Sequence, residues 1–270
     1  MPEAPEVQTV LSTLERQIKH VKIKKIEILY PKLVERTDFA SCLVGQSIQS
    51  FFRIGKYLGF ETQEYDWIVH LRMEGKFYLL QEYPCDKHIH AIFELEDGRY
   101  LCYHDTRKFG RMYLYDKARD KQSHPCFKNV GKDFLECDAE YVYEKMHTSS
   151  RPIKTALLDQ SIIAGIGNIY ADEIAFSCQL HPQTPCTALT KKDCENICFH
   201  TKRILNGAIR YGGTTIRSYT SSLGVSGRFQ LHLKVHQKEN EPCPVCGCLI
   251  EKIKVGQRST YLCPNCQIKR

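Results

Sequence analysis

The sequence predicts an α+β multidomain protein: an N-terminal antiparallel β-sandwich with flanking helices, a helical domain, and a C-terminal four-cysteine zinc ribbon built on a β-hairpin. Three observations predict this fold class. Residues 20–115 contain short apolar runs separated by turn signals, which is typical of antiparallel sheets. Residues 151–213 change to the helical spacing of apolar side chains. Residues 241–270 contain two Cys-x-x-Cys pairs.

The first elements of the chain are a helix and then strands. In residues 5–19, PEVQTVLSTLERQIK, apolar side chains recur at helical spacing, and Pro5 suits the first turn of a helix. Strand-like runs such as FFRIGKYLGFET and HAIFELEDGRYLCYHD follow, and the Glu-Asp-Gly in the second run marks a turn. Residues 117–150 are polar and mixed, so we expect a linker there with a short helix or two.

The second half of the chain favours helices separated by a tight turn. RPIKTALLDQSII at 151–163 predicts a helix, AGIGN at 164–168 a turn, and IYADEIAF at 169–176 a second helix. A third helix is expected in residues 194–213, ended by Gly212-Gly213. The expected domains are residues 1–130, a linker at 131–149, residues 150–236 and residues 237–270.

The composition is that of a globular protein that can bury a core. The chain has 270 residues, of which 42% are hydrophobic and 26% charged. No run of 18 apolar residues and no secretory signal is visible, so we expect a cytoplasmic protein without a membrane span. Most of the 14 cysteines would then be thiols, and most of the ten outside the two Cys-x-x-Cys pairs are expected to be small buried or half-buried side chains.

The positive charge is concentrated at one end of the sequence. Residues 201–270 hold 12 Lys and Arg against three acidic residues, whereas residues 1–200 hold 26 against 28. This asymmetry favours a surface that faces a polyanion such as nucleic acid. A merely solvated basic face is the alternative on charge alone.

The most specific motif is the pair of cysteine knuckles near the C-terminus. Cys243 and Cys246 form one Cys-x-x-Cys, and Cys263 and Cys266 form another after a spacer that can make a hairpin. Four thiolates at this spacing predict one structural Zn²⁺, because protein ligands fill all four positions. A redox motif is the alternative, which the presence of two pairs disfavours. Cys248 lies too close to its neighbours to add a ligand.

Two further motifs suggest contacts with nucleic acid. The AGIGN turn would expose backbone amides at a helix N-terminus, an arrangement that suits phosphate, and Asn168 could add a donor. A plain helix–helix turn explains AGIGN equally well. Met73, Arg107 and Phe109, in HLRMEGKF and DTRKFG, could wedge into a base stack, although Met73 and Phe109 could also be core residues.

Together these stretches resemble a known family of DNA-repair enzymes. The matching stretches run in order from the first residue to the last: PEAPEVQT, GKYL, HLRMEGKF, DTRKFG, KTALLDQ with AGIGNIYADE, GGTTIRSY, FQLHLKVHQKENEPCPVCG and QRSTYLCPNCQ. They resemble the formamidopyrimidine-DNA glycosylase / endonuclease VIII family, and most of all its bacterial formamidopyrimidine (8-oxoguanine) branch. The resemblance implies a helix–two-turn–helix domain between the sandwich and the zinc ribbon.

The resemblance implies that catalysis starts at the N-terminus. Removal of Met1 would leave Pro2 with a free secondary amine, which attacks the sugar C1′ of a damaged nucleotide, expels the base and forms a Schiff base. β- and δ-elimination then cut the strand. Glu3 is the implied general acid/base, Glu6 a supporting residue, and Lys56 the lysine that contacts phosphate and assists elimination.

The other implied residues bind DNA or recognise the lesion. The implied phosphate ligands are His70, Asn168 and Arg258. Met73, Arg107 and Phe109 match the residues that fill the void left by the extruded base. The lesion-recognition positions are Thr214, Thr215, Arg217, Ser218 and Tyr219, in a Gly/Ser/Thr-rich segment, with Glu74 and Lys154 as further pocket positions.

The implied partner is damaged double-stranded DNA, bound by a monomer at the bacterial nucleoid. Ala4 replaces the usual leucine of the start motif, and Ser218 lies where the residue type varies, which puts substrate range in question more than activity. Two rival hypotheses remain open: the same chemistry on oxidised pyrimidines, and a non-catalytic zinc-ribbon DNA-binding protein. The trio of Met73, Arg107 and Phe109 disfavours the first. The intact Pro2, Glu3 and Lys56 disfavour the second.

Overall fold

The computed structural model describes residues 1–214 and 227–270. The chain divides into two compact units. The first contains Met1–Lys128 and the described residues of Gly212–Arg228, and the second contains Asn129–Tyr211 and Phe229–Arg270. In the two described ranges, no helix is both long enough and apolar enough to cross a bilayer.

The first unit contains two four-stranded sheets and two helices. Its elements are α1 (Ala4–Ile18), β1 (Ile23–Ile28), α2 (Phe39–Leu43), β2 (Ser50–Ile54), β3 (Tyr57–Glu61), β4 (Tyr65–His70), β5 (Lys76–Leu80), β6 (Ile89–Leu95), β7 (Tyr100–His104) and β8 (Arg111–Asp116). One sheet has the order β1-β6-β7-β5 and the other β2-β3-β4-β8. All neighbouring strands are antiparallel, which confirms the predicted β-sandwich.

Apolar side chains from both sheets and from α1 share one core. Trp67 on β4 is fully buried and stacks on Phe60 of β3 and on Phe93 of β6, with ring centroids 4.2 and 4.6 Å apart. Val7 and Leu14 bring the apolar face of α1 into the same cluster. Stacked rings that come from both sheets join them into one layered core. The core therefore fixes α1 against the strands.

The second unit is mainly helical. Its elements are β9 (Lys132–Asp133), α3 (Ala139–Met146), α4 (Ile153–Leu158), β10 (Ile163–Ala164), α5 (Asn168–Ser177), α6 (Lys191–Arg210), β11 (Glu251–Val255) and β12 (Arg258–Leu262). Strands β9 and β10 pair in parallel. Helix α6 begins with a capping box: the Thr190 hydroxyl accepts from the Asp193 N–H at 3.2 Å, and the Asp193 carboxylate accepts from the Thr190 N–H at 2.9 Å.

The helix predicted over 151–163 is wrong at its C-terminal end, since α4 ends at Leu158. Side chains hydrogen-bond to the backbone there: the Asp159 carboxylate accepts from the Ser161 N–H at 2.9 Å, and the Gln160 amide donates to the Leu158 carbonyl at 2.9 Å. Such local bonds offer the chain an alternative to helix. The residues that follow form β10 instead.

The cysteine-rich tail contains the predicted β-hairpin. Strands β11 and β12 pair with Val255 opposite Arg258, so Gly256 and Gln257 form the two-residue turn. Both turn residues have positive φ, +53° and +65°, which is the pattern of a type I′ turn. The turn places Arg258 at the tip of the hairpin.

Candidate functional site

The N-terminus of α1 brings the candidate catalytic residues into the interior of the first unit. Pro2 is buried, and Glu3, the N-cap residue of α1, is 2% exposed. The backbone N–H of Glu3 donates to Glu6 Oε2 at 2.9 Å as part of a capping box. Met1 is 46% exposed and so accessible for removal.

The second carboxylate oxygen of Glu6 holds the segment that leads into the implied lesion loop. Glu6 Oε1 accepts from the Thr214 N–H at 2.8 Å and from the Thr214 hydroxyl at 2.9 Å. Gly213 has φ +79°, and a Cβ there would lie 2.8 Å from Glu6 Oε1, so glycine is required for this close approach. Glu6 thereby joins Thr214 to the segment that carries Glu3, a larger part than the sequence indicated.

Lys56 lies in the two-residue turn between β2 and β3 and is 5% exposed. Arg53 supports this turn, because its Nη1 donates to the Gly55 carbonyl at 2.8 Å and its Nε donates to Gln8 Oε1 on α1 at 3.1 Å. These two bonds tie the turn to α1, the helix that follows the candidate nucleophile. Sequence reasoning missed Arg53.

His70, at the end of β4, is held as a neutral imidazole. Burial, with the positive charges of Arg72 and Lys56, lowers its pKa to about 3. The Arg72 N–H donates to His70 Nδ1 at 3.0 Å, so Nε2 carries the ring proton. The edge of Tyr57 packs on the ring at 4.5 Å between centroids. A neutral ring with its Nε2–H available can donate to a phosphate oxygen.

The DTRKFG segment forms a loop with an exposed tip and a buried anchor. Arg107 and Phe109 are exposed, and the Arg107 guanidinium lies 4.9 Å from the centre of the Phe109 ring. The fully buried Asp105 carboxylate accepts from the N–H groups of Arg107 and Gly110, each at 2.9 Å. Sequence reasoning missed Asp105, although an Asp that precedes such a turn is a recognisable signal.

Met73 and Glu74 are half-buried in the turn that follows β4. The next residue, Gly75, is buried, and a Cβ there would overlap the Tyr103 hydroxyl. A glycine is thus needed to seat this turn against β7. Thr215, Arg217, Ser218 and Tyr219 lie outside the described residues.

In the second unit, the predicted phosphate donors Asn168 and Arg258 flank one backbone carbonyl. Asn168 begins α5 after Gly167, and its Nδ2 donates to the Ser259 carbonyl at 3.1 Å. Its Oδ1 is buried and has no hydrogen-bond partner among the described residues. Arg258, the neighbour of Ser259, is exposed. The N-terminus of α5 thus lies next to the backbone of the residue that follows Arg258.

Lys154, expected from the resemblance at a lesion-pocket position, is fully buried within the second unit. Its Nζ donates to Asp172 Oδ1 at 2.6 Å and to the Ser259 carbonyl at 3.1 Å. In this structure the amine therefore faces protein groups rather than an open pocket.

The four predicted zinc ligands converge at the base of the hairpin. The sulfurs of Cys243, Cys246, Cys263 and Cys266 all lie within 4.8 Å of one another. The closest pairs are 3.9 Å (Cys243–Cys266) and 3.4 Å (Cys246–Cys263). Tetrahedral Zn–S bonds of about 2.3 Å require sulfurs about 3.8 Å apart, so the cluster fits zinc. With all four positions filled by protein, the zinc is structural.

Comparisons with known proteins match the whole chain. Residues 1–112 match the formamidopyrimidine-DNA glycosylase N-terminal domain, residues 131–220 the formamidopyrimidine-DNA glycosylase H2TH domain, and residues 240–268 the zinc finger found in FPG and IleRS. The formamidopyrimidine-DNA glycosylase of Bacillus subtilis is 43% identical over 100% of both chains. That of Oceanobacillus iheyensis is 43% identical over 99% of this chain and 98% of its own.

Solved structures give the same result. The complex between the Lactococcus lactis Fpg and an abasic site containing DNA aligns with a TM-score of 0.91 and 38% identity, over 99% of this chain and 100% of that chain. The complex between the wild-type L. lactis protein and a DNA containing N7-benzyl-Fapy-dG aligns with a TM-score of 0.92 and 38% identity over the same shares.

Proposed function

The chain belongs to the formamidopyrimidine-DNA glycosylase family, and from this premise we propose that it is a base-excision-repair enzyme that excises oxidised purines and then cuts the DNA strand. The observation that carries the proposal is the buried start of α1, where Glu6 joins the segment of Glu3 to Thr214. The enzyme would act as a monomer on damaged duplex DNA, in the bacterial cytoplasm at the nucleoid.

The proposed nucleophile is the ring nitrogen of Pro2 after removal of Met1. Its lone pair forms a bond to C1′, and the bond from C1′ to the damaged base breaks. Glu3 protonates the opening sugar oxygen and later moves protons during elimination. The resulting iminium acidifies the C2′ proton, so loss of that proton expels the 3′-phosphate. The burial of Pro2 and Glu3 supports this assignment, because it protects the imine from competing water.

The proposed phosphate ligands combine charged and neutral donors. Lys56 and Arg258 supply positive charge, whereas His70 donates through a neutral ring and Asn168 through an amide. Met73, Arg107 and Phe109 are proposed to fill the void left by the extruded nucleotide, with Arg107 facing the orphaned cytosine. The exposure of Arg107 and Phe109 above the Asp105 anchor supports this role.

Lesion recognition is proposed for the segment that begins at Thr214 and includes Thr215, Arg217, Ser218 and Tyr219, with Glu74 as a further contact. Backbone amides of such a segment can close over an oxidised purine. The bonds from Thr214 to Glu6 support the proposal, because they link the start of this segment to the start of α1.

A borohydride trapping experiment tests the proposal. Protein with Met1 removed, incubated with a duplex that carries 8-oxoguanine opposite cytosine, should give a covalent protein–DNA complex on reduction. Pro2→Gly should trap poorly, and protein that retains Met1 should not trap, because its proline nitrogen is part of a peptide bond. The ends of the DNA products would report whether elimination proceeds from β to δ.

Two outcomes would contradict the proposal in different ways. If the processed protein traps no DNA that carries an oxidised base, the Schiff-base chemistry is refuted. If thymine glycol duplexes trap faster than 8-oxoguanine duplexes, the chemistry stands and the assignment to oxidised purines is refuted.

A further inference from the structure

A buried hydrogen-bonded triad of Asp172, Lys154 and His236 lies next to the tip of the zinc hairpin. Asp172, on α5, is fully buried and uses both carboxylate oxygens: Lys154 Nζ lies 2.6 Å from Oδ1, and His236 Nδ1 lies 2.7 Å from Oδ2. Lys154 is itself fully buried and His236 is 6% exposed. Charges withdrawn from water to this degree persist only with well-placed partners, so the triad has one favoured geometry.

The Ser259 carbonyl oxygen joins the triad to the hairpin, and the His236 ring also packs against Tyr261 of β12. The Ser259 carbonyl accepts from Lys154 Nζ and from Asn168 Nδ2, each at 3.1 Å. Ser259 directly follows Arg258 in β12. One acceptor thus fixes both proposed phosphate donors of this unit, the Asn168 amide directly and the Arg258 guanidinium through the backbone.

The turn of the hairpin is also seated on the helix that carries Lys154. A Cβ on Gly256 would lie 3.0 Å from the Thr155 hydroxyl oxygen, so the turn approaches α4 closely. Because Lys154 and Thr155 are neighbours, the carbonyl bond and the close approach fix the hairpin tip at the same place on α4. Lys154 itself is fully buried, so its amine is not exposed to a nucleobase in this structure.

We propose that Lys154 is a positioning residue that holds Arg258 and Asn168 in place for DNA phosphate, and that it does not contact the lesion. This inference rests on the proposed function, since it requires those two residues to bind phosphate. The Asp172 carboxylate holds the Lys154 amine, and the amine orients the Ser259 carbonyl. Loss of the amine would release the hairpin tip from α4 without removing a zinc ligand.

The test measures affinity for a duplex with a tetrahydrofuran abasic analogue, which has no lesion base, as a function of salt. Lys154→Met should weaken binding about tenfold at about 0.1 M salt and flatten the salt slope by about 0.9, the value for one lost phosphate contact. Arg258→Ala should do the same. The double variant should bind no more weakly than Lys154→Met alone, because the Lys154 change already releases the Arg258 contact.

A matched control exists in the first unit, where Asp66 is also fully buried between a lysine and a histidine. Lys121 Nζ lies 2.9 Å from Asp66 Oδ1, and His124 Nε2 lies 2.6 Å from Asp66 Oδ2. Lys121→Met should lower stability in the same way as Lys154→Met and leave the salt slope unchanged. Lys154→Gln, which keeps a donor for the Ser259 carbonyl, should bind more tightly than Lys154→Met, and zinc content should stay at one per chain.

The outcomes separate the inference from the proposed function. If Arg258→Ala leaves binding unchanged, the phosphate role of Arg258 fails. If Arg258→Ala weakens binding and folded Lys154→Met or Lys154→Gln does not, the positioning role is overturned. It is equally overturned if Lys154→Met slows excision of 8-oxoguanine while affinity for the abasic analogue stays at the wild-type value, since that result assigns the amine to the lesion.

Discussion

At the scale of single residues, His70 shows how burial selects the chemical form of a side chain. The ring is 7% exposed and lies near two cations, so the charged form is unfavourable and the pKa falls to about 3. The Arg72 N–H occupies Nδ1 and leaves the proton on Nε2. His70 is thus a neutral donor of fixed tautomer across the physiological pH range, and changes of its charge cannot shape a pH–rate profile there.

The neutral state of the His70 ring can be tested directly by NMR. Long-range ¹H–¹⁵N spectra should show His70 as the Nε2–H tautomer with constant shifts between about pH 5 and 8, and His70→Gln identifies its signals. In urea the same ring should titrate near its ordinary value of 6.5. Between pH 6.5 and about 3 the ring is protonated in the unfolded chain but neutral in the native protein. The free energy of unfolding should therefore fall as pH falls through that window. Titration of the native ring near pH 6.5 would contradict the assignment.

Eight of the ten cysteines outside the zinc site are buried or half-buried, as expected of small packing residues, whereas Cys85 and Cys248 are exposed. Burial raises the pKa of five thiols to about 12: those of Cys102, Cys126, Cys137, Cys178 and Cys194. A thiol reacts as its thiolate, so these side chains are protonated and unreactive at neutral pH. No disulfide joins cysteines in the described part of the chain. The high cysteine content therefore reflects packing at these positions.

At the scale of elements, the zinc hairpin depends on metal more than on burial. The strand pair has few buried side chains, chiefly Val255, Thr260 and Leu262. A two-stranded hairpin alone is marginal in water, so closure of the four-cysteine site supplies the free energy that holds it. The strand pair that carries Arg258 at its tip stays formed because the base of the hairpin is tied.

Two exposed cysteines in one knuckle provide the test. Cys246→Ser should lose zinc and bind duplex DNA at least about tenfold more weakly, because the hairpin unfolds and Arg258 is released. Cys248→Ser should keep one zinc and wild-type affinity, since Cys248 is outside the ligand cluster. Zinc by mass spectrometry and affinity by fluorescence anisotropy measure both effects. Equal zinc loss in the two variants would show that the ligand set is wrong.

The sequence predicted well those elements that residues close together in the chain determine. The zinc ligands follow from two short repeats, and α1 follows from helical spacing and Pro5. The end of α4 was missed because side chains of the next residues compete for the backbone. Contacts between distant parts of the chain could not be predicted at all: Glu6 and Thr214 are 208 residues apart, and Lys154 and Ser259 are 105 apart. Such pairs depend on the assembled fold, not on a pattern.

At the scale of the whole molecule, charge and phosphate recognition are separate properties. The net charge is +7, concentrated in the C-terminal part of the sequence, which attracts a polyanion without regard to sequence or damage. Of the four proposed phosphate ligands, Lys56 and Arg258 are charged, and His70 and Asn168 are neutral. Only charged ligands release counterions when they neutralise phosphate, so the neutral pair can add affinity that salt does not screen.

This separation predicts how two single substitutions should differ. His70→Phe removes a neutral donor, so it should weaken binding of a lesion-containing duplex at every salt concentration and leave the slope of log K against log salt unchanged. Arg258→Ala should flatten that slope by about 0.9, so that its loss of affinity is large at about 50 mM salt and small at about 300 mM. Anisotropy titrations across this range measure both quantities on intact protein. If His70→Phe also flattens the slope, His70 binds phosphate as a cation, and the neutral state derived from its burial does not persist on DNA.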